Sequence, residues 1–176
     1  MALSAAVLTA LRDAVGAEQV LTDAAACWPY GYDNSRRHAP PGAVCFATSH
    51  EAVVGVLRTC HAHRIPLVAR GRGTGTTGAT VPLDHAIVLS LERMQRIVRV
   101  DPDNRAMVVE PGVLNQQVQE AAAAHGFFWP PDPTSSAYCT IGGNLAYNSA
   151  GPRAVKYGTP RENTLALRAV TVTRSR

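Results

Sequence analysis

The run Arg70-Gly71-Arg72-Gly73-Thr74-Gly75-Thr76-Thr77-Gly78 has the composition of a main chain built to meet an anion. Glycine lets backbone approach a ligand closely, and successive N–H groups in such a loop form a concavity that binds phosphate without a lysine or a metal. Threonine hydroxyls add further hydrogen bonds. Gly73, Gly75 and Gly78 also match G-x-G-x-x-G literally. That dinucleotide fingerprint, however, belongs between a strand and the helix it opens. Here Pro82 follows almost at once and residues 86–91 read as another strand, so no helix has room. No Gly-Lys-Ser/Thr follows either, which excludes a Walker-type phosphate loop. A plain flexible linker is the competing reading, disfavoured because linkers rarely join two buried strands.

A second stretch carries similar chemistry. Pro130-Pro131-Asp132-Pro133-Thr134-Ser135 leads into Cys139-Thr140-Ile141-Gly142-Gly143-Asn144, then Asn148, Gly151 and Lys156-Tyr157-Gly158. Close-approach glycines and small hydrogen-bonding side chains suit the wall of a site. The prolines stiffen its entry without adding a donor. The whole of 128–158 reads as largely irregular, and so long a stretch is uncommon in a compact domain unless it has a function. No carboxylate, histidine or tyrosine stands in a motif that marks a general base, so the catalytic residues are unassigned.

The elements that must position these loops follow from periodicity. Leu3, Val7, Ala10, Leu11 and Ala14 recur at helical spacing, with Gly16 as a stop. Residues 44–47 form a short strand. Thr48 and Glu51 make a capping-box pattern for a helix that runs to about His63 or Arg64. Residues 65–69 and 86–91 are strands flanking the first loop. Residues 96–100 and 106–110 alternate about Asp101-Pro102-Asp103-Asn104-Arg105, which predicts a hairpin. A helix over 115–125 closes at Gly126, and residues 165–173 read as a last strand with no hairpin partner.

Composition bounds the rest. The chain has 176 residues, a net charge of +4 and 46% hydrophobic residues, enough for a core. Its arginines are scattered, with Arg36-Arg37-His38 the one compact basic run, so nucleic acid is a weak reading. A modest positive balance equally suits a diphosphate or a carboxylate. Cys27, Cys45, Cys60 and Cys139 form no CxxC pair and read as small apolar residues of a cytoplasmic protein, with no metal site. No apolar run reaches membrane-spanning length.

Taken in order, Arg70–Gly78, Val109-Glu110-Pro111-Gly112, Pro131–Ser135, Gly142–Asn144 and Lys156–Gly158 resemble the FAD-binding domain of vanillyl-alcohol-oxidase-type (PCMH-type) flavoproteins. Within that family the likeness is to the branch of the FAD-linked glycolate oxidase subunit and the D-lactate dehydrogenases. It runs from Tyr30-Gly31-Tyr32-Asp33 to Val172. The resemblance implies an α+β fold of two α/β subdomains. Residues 1–41 would be a helix and irregular lead-in and 42–95 the first subdomain. Residues 96–176 would be a second one, truncated at the C-terminus, with the substrate domain absent. It implies that Arg70, Gly71, Gly73, Thr74, Gly75, Thr76, Thr77 and Gly78 hold the FAD diphosphate. Pro111, Gly112, Pro131, Asp132, Thr134, Ser135, Gly142, Gly143, Asn144, Asn148, Gly151, Tyr157 and Gly158 would meet the rest of the cofactor. Some relatives attach FAD through a histidine of the first loop. Thr74 stands at that position here, which implies non-covalent FAD.

The implied reaction is oxidation of a 2-hydroxy acid, glycolate or D-lactate, to the 2-oxo acid. Partner subunits of a glycolate oxidase complex are implied too, with attachment to the inner face of a membrane through them. No transmembrane segment and no nucleic acid are expected. Two alternatives stay open: a truncated, non-catalytic fragment with weak or no FAD binding, and a nucleotide- or nucleic-acid-binding module.

Overall fold

The computed structural model describes residues 3–83 and 85–171. The chain divides into two compact units, residues 1–93 with 168–176, and residues 94–167.

The first unit opens with α1 (Ala5–Val15), whose Val7, Leu11 and Val15 are buried and whose N-terminus is capped by Ser4. A two-residue strand, β1 (Val20–Leu21), and a single helical turn, α2 (Ala24–Cys27), follow. Next come β2 (Ala43–Phe46), α3 (His50–Ala62), β3 (Leu67–Arg70) and β4 (Ile87–Ser90). The sheet order is β1-β2-β4-β3. β1 runs antiparallel to β2, while β2 and β3 both run parallel to the central β4, Val44 and Val68 each opposite Val88. Every residue of β2 and β4 is buried. Their apolar runs, Ala43–Phe46 and Ile87–Leu89, reflect a sheet covered on both faces. Cys27, Val44, Phe46 and Val88 form one core cluster with Leu21 and Tyr30 against it. Helix α1 packs on α3, which buries Ala52, Val56 and Cys60.

The second unit begins with the hairpin β5 (Ile97–Asp101) and β6 (Ala106–Val109), with a register shift between Ile97 and Arg99. Its turn is held by Asp101, which accepts from the Asn104 N–H at 3.1 Å. Helix α4 (Asn115–Ala123) follows, then α5 (Ile141–Tyr147) and a single turn, α6 (Ala154–Tyr157). Val113, Val118 and Ile141 form the core here, with Met107, Val109, Trp129 and Leu145 packed on it. Among the described residues no helix is long and apolar enough to cross a membrane, and no cluster of side chains could hold a metal ion.

Three local expectations need correction. The cap of α3 is Ser49, not Thr48: its hydroxyl accepts from the Ala52 N–H at 3.1 Å, and Glu51 lies one position closer to the helix start than a capping box requires. Gly142-Gly143-Asn144 is the first turn of α5, not loop, because Thr140 caps that turn and Leu145 joins Ile141 in the core. Residues 165–171 adopt no regular structure and are mostly exposed, so the expected last strand does not form there. Val172 and Thr173 lie outside the described residues.

Candidate functional site

The first loop leaves the carboxyl end of β3, one of the parallel strands, the edge at which sheets of this kind bind ligands. Arg70, the last residue of β3, is buried. Its guanidinium donates to the Tyr32 carbonyl at 2.7 Å, the Pro29 carbonyl at 3.2 Å and the Thr80 hydroxyl at 3.4 Å. Gly73 folds over that guanidinium with φ +67°, and a β-carbon there would collide with it. Arg70 is thus a support beneath the loop, tying it to the segment before β2.

The same segment fixes the rest of the loop. Asp33 is 2% exposed, and its carboxylate accepts from the Ser35 N–H at 2.9 Å, the Gly78 N–H at 2.9 Å and the Thr80 hydroxyl at 3.5 Å. Burial alone would push its pKa up, but the hydrogen bonds from Ser35, Gly78 and Thr80 outweigh it and hold the group below the usual carboxylate range. Asn34 donates twice: its N–H to the Gly75 carbonyl at 2.9 Å and its side-chain amide to the Thr74 carbonyl at 3.3 Å. Among the described residues, the main-chain N–H groups from Gly71 to Thr76 have no acceptor. They belong to half-buried or exposed residues, so water or a ligand must satisfy them.

In the second unit the structure draws several of the candidate residues together. The Gly142 N–H donates to the Pro111 carbonyl at 2.8 Å, and Gly112 donates to the Met94 carbonyl at 2.8 Å. The Gly143 N–H caps onto the Thr140 hydroxyl at 3.2 Å. Asn144, 1% exposed, donates to the Cys139 sulfur at 3.5 Å and the Ser149 carbonyl at 3.4 Å. It also accepts from Asn115 Nδ2 at 3.4 Å, and that amide donates to the Pro131 carbonyl at 3.1 Å. The Asp132 N–H donates to the Ala150 carbonyl at 2.7 Å, and its carboxylate lies 3.4 Å from Arg153. Gly151 has φ +75° and sits against the Asp132 carbonyl so closely that no β-carbon fits.

Other candidates stand apart from this cluster. Thr134 is exposed. Asn148 is the left-handed C-cap of α5 and accepts from the Arg161 N–H at 3.1 Å. Tyr157 packs edge-on against Phe128, ring centroids 5.0 Å apart, and Gly158 ends α6 with φ +83°. The Ser135 carbonyl accepts from Tyr138 and Cys139, each at 2.8 Å. Sequence reasoning missed Asp33, Asn34 and Asn115. Asp33 closes the Tyr30–Asp33 stretch at which the family likeness begins, but the segment has no periodicity, and neither Asp33 nor Asn34 is marked there as a site residue. Asn115 had a signal: a polar residue on the buried face of an amphipathic helix, here fully buried with its Oδ1 unpaired among the described residues.

The described groups offer binding more than acid–base chemistry. Burial first, then Glu92, pushes the Tyr30 phenol up to about 12, and burial likewise pushes the Cys45 thiol up to about 12 and the Cys60 thiol up to about 11. All three stay protonated at neutral pH.

Comparison with known proteins supplies the remaining context. A family model described as an FAD binding domain matches residues 41–174. The chain is 36% identical over 167 residues to the glycolate oxidase subunit GlcD of Escherichia coli (strain K12), covering 94% of this chain and 34% of that one. It is 42% identical over 123 residues to the D-lactate dehydrogenase of Archaeoglobus fulgidus, covering 70% of this chain and 27% of that one. The solved structure of p-cresol methylhydroxylase superposes with a TM-score of 0.70 at 27% identity, over 82% of this chain and 29% of that one. The chain spans about a third of the length of the curated relatives it matches.

Proposed function

This chain belongs to the FAD binding domain family, and from that premise we propose that it holds FAD without a covalent bond and serves the oxidation of a 2-hydroxy acid, glycolate or D-lactate, to the 2-oxo acid. The observation that carries the cofactor reading is the run of N–H groups from Gly71 to Thr76, without an acceptor among the described residues, at the carboxyl end of a parallel strand. That run fits a diphosphate. Its amides need acceptors, the loop itself contains no carboxylate, and both oxygens of the nearby Asp33 are already engaged. The loop also contains no histidine or cysteine to bond a flavin, and Thr74 cannot do so.

In this reading Gly71, Gly73, Thr74, Gly75, Thr76 and Thr77 meet the diphosphate, Gly78 lines the loop's far end with its own N–H held by Asp33, and Arg70 holds the loop in shape from beneath. In the second unit, Pro111, Gly112, Pro131, Asp132, Thr134, Ser135, Gly142, Gly143, Asn144, Asn148, Gly151, Tyr157 and Gly158 are the proposed contacts to the rest of the cofactor. The hydrogen-bonded set around Asn144 gives that surface a fixed shape. Bound flavin supplies the hydride-accepting chemistry; the protein binds, orients and excludes water. The substrate class rests on the names of the relatives, GlcD and D-lactate dehydrogenase. A partner subunit rests on GlcD being named a subunit.

The test is to purify the 176-residue chain with FAD, desalt it and record its visible spectrum. A flavin spectrum that survives desalting, with flavin released on denaturation, supports non-covalent binding. A folded, colourless protein supports the alternative of a non-catalytic piece that does not retain FAD.

A further inference from the structure

We infer that Asn34, with Asp33 beside it, is a positioning residue that turns the amides of the glycine loop toward the diphosphate without touching it. The inference rests on the FAD reading above and assigns a cause to the loop's geometry. Asn34 holds two successive loop carbonyls, Thr74 through its side-chain amide at 3.3 Å and Gly75 through its main-chain N–H at 2.9 Å. Each of these carbonyls shares a peptide plane with the next residue's N–H. The described peptide bonds are all trans, so in each plane the N–H points opposite to the C=O. With both carbonyls drawn toward Asn34, the N–H groups of Gly75 and Thr76 must both point away from it.

Two successive amides directed to one side, neither with an acceptor among the described residues, are the element of an anion-binding nest. Asp33 fixes the far end of the same loop by taking the Gly78 N–H at 2.9 Å, so that amide points inward and the loop cannot rotate as a whole. Only a donor can serve at Nδ2, since Thr74 offers a carbonyl oxygen. An aspartate of the same size would face that oxygen with another acceptor.

The test uses the 176-residue chain and FAD itself as probe, read by flavin fluorescence and by the phosphorus resonances of bound FAD. Asn34 is exposed, so Asn34→Ala should fold as the parent does. Loss of one neutral hydrogen bond should weaken FAD binding about two- to tenfold. It should also shift the diphosphate resonances, which a merely structural role would leave in place. Asn34→Asp should weaken binding further, and Asp33→Asn should shift the same resonances. Parent-like affinity and parent-like phosphorus shifts in Asn34→Ala would overturn the positioning role while leaving the FAD reading intact. A parent chain that binds no FAD overturns both, and is seen before any variant is made.

Discussion

Single side chains in this protein act mainly by fixing backbone. Glu110 is a clear case outside the candidate site. Its carboxylate accepts from the Arg96 N–H at 2.8 Å, Arg96 Nε at 2.9 Å and Arg96 Nη2 at 2.7 Å, so it locks the entry to β5 against the exit of β6. Burial works to raise its pKa, but these Arg96 contacts outweigh it and the net shift is downward. A lowered carboxylate pKa stabilises the fold fully above the ordinary range near 4, and that contribution is lost as pH falls through the folded value. We therefore expect Glu110→Gln to lower the urea midpoint at pH 7. The gap to the parent should close as pH drops below the carboxylate range; a gap unchanged at pH 3 would contradict the assignment.

At the scale of elements, the start of α3 turns on a single residue. The Ser49 hydroxyl satisfies the Ala52 N–H, whereas Thr48 precedes the cap. Ser49→Ala should cost about 1 kcal/mol, the usual loss for an N-cap hydroxyl. Thr48→Ala should change stability by under about 0.5 kcal/mol. Chemical denaturation of the two variants distinguishes them, and the reverse order would restore the Thr48 cap. The element that matters for the site is shorter still. The segment 29–35 has no regular repeat, yet it supplies the Pro29 and Tyr32 carbonyls, Asp33 and Asn34, which together set the shape of the glycine loop.

For the whole molecule, the cysteines report on core integrity. Cys27, Cys45, Cys60 and Cys139 are all free and all buried. Burial raises the thiols of Cys27, Cys45 and Cys60, which disfavours the reactive thiolate. The native chain should react with a water-soluble aromatic disulfide far more slowly than a free thiol does, and release four equivalents only in denaturant. Rapid reaction of one thiol in buffer would show that part of one unit's core is open. Because Cys27, Cys45 and Cys60 lie in the first unit and Cys139 in the second, mapping the labelled cysteine tells which unit opens.

Sequence alone determined the strand–helix–strand order of residues 44–69, the hairpin about Asp101–Arg105 and the phosphate-type composition of the first loop, because each rests on local periodicity or turn chemistry. The likeness carried by Arg70–Gly78, Pro131–Ser135 and Gly142–Asn144 agrees with the FAD binding domain match over residues 41–174. What tertiary structure decided is what depends on distant partners. The short α5 forms over two glycines because Thr140 caps it and Leu145 joins Ile141 in the core, against the low helix propensity of Gly142-Gly143. Arg70 sits beneath the loop because Pro29 and Tyr32 present carbonyls from about forty residues away. The direction of the loop's amides is likewise set by Asp33 and Asn34, since a glycine-rich backbone has too few intrinsic restraints to choose one orientation by itself.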